Sequence, residues 1–95
     1  MKTYAIRRRS GWESTRELEV AGKRSARVGS EMTDKVRWIR SYAVVEEDGR
    51  IGTVCIYQAV SPEAIREHAR AADLPATEIN EVAATIVVNE DPVAV

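Results

Sequence analysis

One histidine, one cysteine and a cluster of arginine with aromatic side chains are the residues of this 95-residue chain whose types suit chemistry. His68 falls on a predicted helix between Ile65 and Ala69, where an imidazole could ligate a metal, exchange a proton or hydrogen-bond at a packed edge. Cys55 could serve as a soft metal ligand or a nucleophile. A mid-strand cysteine with no histidine beside it more often behaves as a small buried hydrophobe. Without a nucleophile, base and acid set, nucleophilic hydrolysis is not supported. Trp38, Arg40, Tyr42 and Tyr57 together offer a cation and three rings, suited to an anionic or planar ligand. The same composition suits an interface between two copies of the chain. The run Arg7-Arg8-Arg9 supplies local positive charge, but strand alternation sends its side chains to different faces, and a solvated strand end is the expected reading. No aromatic RNA-binding signature and no glycine-rich phosphate loop accompany it.

These residues must be held by a small set of elements. Thr3 to Arg9 reads as a first strand, broken by Ser10-Gly11. Ser14 and Glu17 then match a capping box, so a helix begins there, with Leu18, Ala21, Ser25, Val28 and Met32 drawing its inward stripe. Val36 to Val45 and Ile51 to Val60 are rich in β-branched and aromatic residues and flank Asp48-Gly49, a strong hairpin signal. Ser61-Pro62-Glu63 opens a second helix with an N-cap, a proline at the first position and an early acid. Its stripe uses Ile65, Ala69 and Ala72, and Pro75 ends it. Ala83 to Val88 reads as the last strand. Strand, helix, hairpin, helix, strand is the α+β ferredoxin-like βαββαβ order, a four-stranded antiparallel sheet with two helices on one face and the other face open. One domain over residues 1–95 is expected, with a frayed tail from about residue 89.

A two-residue Asp48-Gly49 loop pairs Val44 with Thr53, Tyr42 with Cys55, Arg40 with Tyr57 and Trp38 with Ala59. In that register Ile39, Ser41, Ala43, Val45, Val54 and Ile56 pack under the helices. Trp38, Arg40, Tyr42, Cys55 and Tyr57 form the open face, expected to meet a second copy or a small ligand.

Composition excludes several classes. The charged fraction is 31% and the hydrophobic fraction 44%, ordinary globular usage. The formal net charge of -1 provides no global field toward nucleic acid or an anionic membrane. A single cysteine excludes an internal disulfide and multi-thiolate zinc or iron-sulfur sites, and fits a reduced, cytoplasmic setting. No stretch approaches the roughly 20 apolar residues of a membrane span.

The motifs Trp38-Ile39-Arg40-Ser41-Tyr42, Cys55-Ile56-Tyr57-Gln58-Ala59 and Glu63 through His68-Ala69, with Leu74-Pro75, Ile79 to Val82 and Asp91-Pro92, resemble a bacterial family of small ferredoxin-like proteins. That family is filed as a domain of unknown function and includes a nickel-responsive, nickel-binding member. The resemblance covers roughly residues 36 to 92. It implies a homodimer and nickel or another divalent metal, with His68 as the carried-over ligand and Tyr42, Cys55 and Tyr57 as its motif neighbours. No organic cofactor is expected.

Two functions follow. The first is a divalent-metal binding or handling protein, His68 donating its imidazole while carboxylates or water complete the sphere across a dimer. The second is a dimeric small-molecule-binding protein, an isomerase or cyclase if it turns its ligand over, using Trp38, Arg40, Tyr42, Cys55 and Tyr57 on the open face. Neither nucleic acid nor membrane is an expected partner.

Overall fold

The computed structural model of the protein describes residues 1–75 and 78–92. Its elements run β1 (Lys2–Trp12), α1 (Thr15–Ser30), β2 (Val36–Val45), β3 (Ile51–Ala59), α2 (Pro62–Ala71) and β4 (Glu78–Glu81). The strands form one antiparallel sheet in the order β2-β3-β1-β4, the expected ferredoxin-like arrangement. Ser14 caps α1, its Oγ accepting the Glu17 N–H at 3.2 Å, and Ser61 caps α2 in the same way through Ala64. Both helices turn their small and aliphatic stripes, Ala21, Ser25 and Val28 from α1 and Ala64, Ile65, His68 and Ala69 from α2, onto the sheet. Tyr4, Ile6, Val36, Cys55, Tyr57 and Ala59 meet them from below. Among the described residues no helix is long and apolar enough to cross a membrane.

The hairpin departs from the expected register. Glu46 and Arg50 close the loop, with the Glu46 N–H on the Arg50 carbonyl at 2.9 Å, so Glu47, Asp48 and Gly49 form a three-residue connection. Gly49 takes the left-handed conformation there, φ 81°, the glycine position of a type I turn followed by a bulge. Ala43 therefore faces Thr53, Tyr42 faces Val54 and Arg40 faces Ile56. One residue of slip turns every side chain of β3 to the opposite face from the one expected. A second irregularity follows at once. Arg40 pairs with Ile56 and Trp38 with Tyr57, leaving Ile39 as the extra residue of a β-bulge.

The remaining corrections lie at the ends. β1 continues past Ser10-Gly11 to Trp12, because the irregularity there is absorbed within the strand, with Ser10 at φ 48° and its N–H on the Glu46 carboxylate at 3.0 Å. The last strand is Glu78–Glu81 and not Ala83 to Val88. It is held to β1 by ion pairs at both ends, Arg9 with Glu78 at 2.6 Å and Lys2 with Glu81 at 3.1 Å. Ala83 to Val88 is exposed and outside the sheet. Of the tail, Asp91 receives hydrogen bonds from Arg40 at 2.9 Å and Tyr42 at 2.7 Å, and residues 93–95 lie outside the described residues.

Candidate functional site

The changed register divides the expected site. Arg40 and Tyr42 remain on the open face, both exposed, and their polar atoms converge on Asp91. The anion that a guanidinium beside a phenol was expected to attract is thus the chain's own carboxylate. Trp38, Cys55 and Tyr57 belong instead to the helix side, with Cys55 and Tyr57 buried. The bulge at Ile39 is the reason for Trp38: it lets that side chain point inward although Arg40, two residues on, points outward.

On the helix side the three contribute to a chamber of about 410 Å³ between α1 and the sheet. Leu18, Gly22, Ser25 and Ala26 of α1 form its roof, and Ser41, Ala43, Thr53, Cys55 and Tyr57 its floor. Trp12 and Leu74 close the inner end, while the exposed Trp38, Glu19 and Lys23 mark the mouth. Gly22 keeps the roof thin, since a Cβ there would meet only Trp38, at 4.0 Å. The volume lies within the range of ligand pockets in general, and the walls are mostly apolar with a few polar groups.

Tyr57 is the central side chain of the floor. Trp38 stacks on its ring, centroids 6.0 Å apart and planes 8° from parallel, and His68 packs against it at 5.5 Å, tilted by 55°. Its hydroxyl lies 3.2 Å from Ser25 Oγ. Burial raises the Tyr57 pKa above the ordinary phenol value, against the opposing pull of the Ser25 hydrogen bond and of the charge and hydrogen bond of Arg8, so the group is a neutral phenol. His68 is 1% exposed and does not line the chamber. Its Nε2 lies 3.0 Å from the Ser25 carbonyl, which only accepts, so Nε2 carries the proton and Nδ1 the lone pair. Burial, with a smaller contribution from Arg8, lowers its pKa below the usual imidazole value.

Sequence reasoning missed Arg8. Expected at a solvated strand end, it is 1% exposed and lines the chamber. The signal was its parity: Tyr4, Ile6 and Arg8 alternate with Ala5 and Arg7, and the first two are core residues. Arg7 and Arg9 are paired with Glu46 at 2.9 Å and Glu78 at 2.6 Å. Arg8 donates from Nη1 to the Pro75 carbonyl, and its Nη2 has no hydrogen-bond partner among the described residues.

No curated protein matches the chain. Among solved structures it is similar to the crystal structure of SCO4226 from Streptomyces coelicolor A3(2), with a TM-score of 0.71 and 21% identity over 88% of this chain and 99% of that one. The fold is therefore shared. A family model described as the nickel responsive protein SCO4226-like family matches residues 4–82, and the chain belongs to that family.

Proposed function

We propose that this protein is a small-molecule-binding member of its family, taking up a compact, largely apolar and planar ligand in the chamber between α1 and the sheet. The observation that carries the reading is the chamber itself, floored by the Trp38–Tyr57 stack and roofed at Gly22 by a residue with no side chain. Trp38, Cys55 and Tyr57 keep the ligand-binding role expected of them, at a different place. The test is calorimetric titration of the purified chain with 2-naphthamide and 2-naphthoate. Saturable binding of one molecule per chain, lost in Gly22→Trp, supports the reading; absence of binding by both compounds overturns it.

A nickel-type metal site, which the family's description suggests, finds less support in the donor set. His68 presents one lone pair inside the core, beside the influence of the Arg8 cation, and among the described residues no group of three His, Cys, Asp or Glu side chains converges on a point. An ion that prefers several nitrogen and oxygen ligands is poorly served by one buried imidazole. The described residues of one chain do not fit the metal.

The homodimer is retained in the proposal, through the open sheet face. Ile39 and Tyr42 are exposed there, and Ile86 and Val87 of the segment following β4 are 88% and 76% exposed beside them. A second copy would remove this apolar surface from water. Light scattering should give the mass of a dimer for the wild type and of a monomer for Ile86→Asp/Val87→Asp; an unchanged mass would count against this face.

A further inference from the structure

We infer that Arg8 is the anchor of the chamber, and that the ligand it receives is a planar organic monocarboxylate. The inference rests on the proposed chamber and adds the chemistry of its inner end.

An arginine guanidinium is charged at every accessible pH, and buried charges in folded proteins are paired or hydrogen-bonded throughout. Arg8 is neither. It is placed on β1 by the same alternation that buries Tyr4 and Ile6, and it faces Thr53 across the β1–β3 ladder. Its Nη1 donates to the Pro75 carbonyl and its side chain also hydrogen-bonds Tyr57, and these neutral partners fix the fork without neutralising it. Among the described residues the buried Nη2 has no hydrogen-bond partner and no carboxylate lies within ion-pair distance, although both neighbouring arginines have one. The molecule thus spends a buried cation on a wall of its own cavity.

The other polar groups near this end are mild. Thr53 is engaged by the Cys55 thiol at 3.3 Å, and Tyr57 shares its hydroxyl with Ser25. None brings negative charge, and the one carboxylate lining the chamber, Glu19, stands at its mouth, so the inferred ligand carries the compensating anion. One guanidinium with a single free Nη2 matches one carboxylate better than a phosphate dianion, which would leave charge over in an apolar chamber. The Trp38–Tyr57 stack selects a flat body behind that head group.

The experiment compares 2-naphthoate with 2-naphthamide, which share a body and differ in charge. At neutral pH the carboxylate should bind about tenfold or more tightly than the amide, the usual worth of a hydrogen bond to a buried charge. In Arg8→Met that preference should vanish, and inorganic phosphate should not compete in the wild type. Equal affinities for the two compounds in the wild-type chain would overturn the anchor while leaving the chamber standing. Binding of neither would remove the chamber and the anchor together. Competition by phosphate at concentrations comparable with the naphthoate would also overturn the assignment to a carboxylate. The wild-type comparison requires no variant to fold, so the inference is tested even if Arg8→Met does not accumulate.

Discussion

Trp38 and Tyr57 lie ring on ring, 6.0 Å between centroids, across a ladder position that exists only because Ile39 is extra. The stack joins the edge strand β2 to the buried strand β3 on the helix side and forms the floor of the chamber near its mouth. Trp38→Ala should therefore weaken 2-naphthoate binding severalfold while costing about 2 kcal/mol or more of stability, from the aromatic pair and the lost burial of the indole together. Denaturant unfolding and calorimetry separate the two effects. A stability loss with unchanged affinity would show that the stack serves packing alone.

Removing the Arg8 charge should stabilise the empty protein. A buried cation without an anion opposes folding, and a methionine of similar length fills the same space without that cost. Arg8→Met should raise the melting temperature by roughly 4–8 °C, about 1 kcal/mol for a domain of this size. A lowered melting temperature would mean that the Pro75 contact outweighs the stranded charge.

Gly52 should not accept a side chain. A Cβ there would stand 2.7 Å from the Arg8 carbonyl oxygen and would collide with a Glu46 carboxylate oxygen. The carboxylate can swing away, but the backbone oxygen cannot. Gly52→Ala is expected to cost about 2 kcal/mol or more, the range of overpacking in a closed core, and adding Glu46→Ala should restore only part of it. Full rescue would place the conflict at Glu46.

Gly22 should behave in the opposite way. It lies inside α1, where an added Cβ would make only an ordinary contact with Trp38, so Gly22→Ala should stabilise the helix by about 0.5–1 kcal/mol. Thermal unfolding reads this directly. Destabilisation would indicate that the roof of the chamber is tighter than the 4.0 Å approach to Trp38 allows.

His68 gives the fold a pH dependence of definite sign. Burial holds its folded pKa below the ordinary value of 6.5, so the unfolded chain takes up a proton that the folded chain refuses. Stability from this group is complete above about pH 6.5 and declines as the pH falls through that value toward the folded pKa. Urea unfolding at pH 7.5 and 5.5 should show the decline, and His68→Gln should flatten it. A His68→Gln protein with the same slope would assign the effect to another group.

Much of the fold was legible because local signals agreed. Ser14 with Glu17, and Ser61 with Pro62, announced both helices, and their stripes named the buried face. The site was less legible because it depends on counting. Asp48-Gly49 suits a two-residue loop and also a three-residue loop with Gly49 left-handed, and the choice moves Cys55 and Tyr57 from one side of the sheet to the other. No local propensity marks Ile39 as a bulge. Ala83 to Val88 has the stronger strand composition, yet Glu78–Glu81 is the strand: it pairs with β1, Ile79 packs against the core, and Arg9 and Lys2 meet acids at its two ends. Arg8 was misread for a different reason: charge predicts exposure on average, and the alternation with Tyr4 and Ile6 was the better guide.

The extra residue at Ile39 makes β2 two half-strands written in opposite phase. Inward positions are Val36 and Trp38 before it and Ser41 and Ala43 after it, so parity changes once along a single strand. Substitutions on the chamber side can then accumulate without altering Arg40 and Tyr42, which hold Asp91 on the reverse face. Loss of that one residue would bring the two half-strands into a single phase, and one half would then exchange its inward and outward side chains.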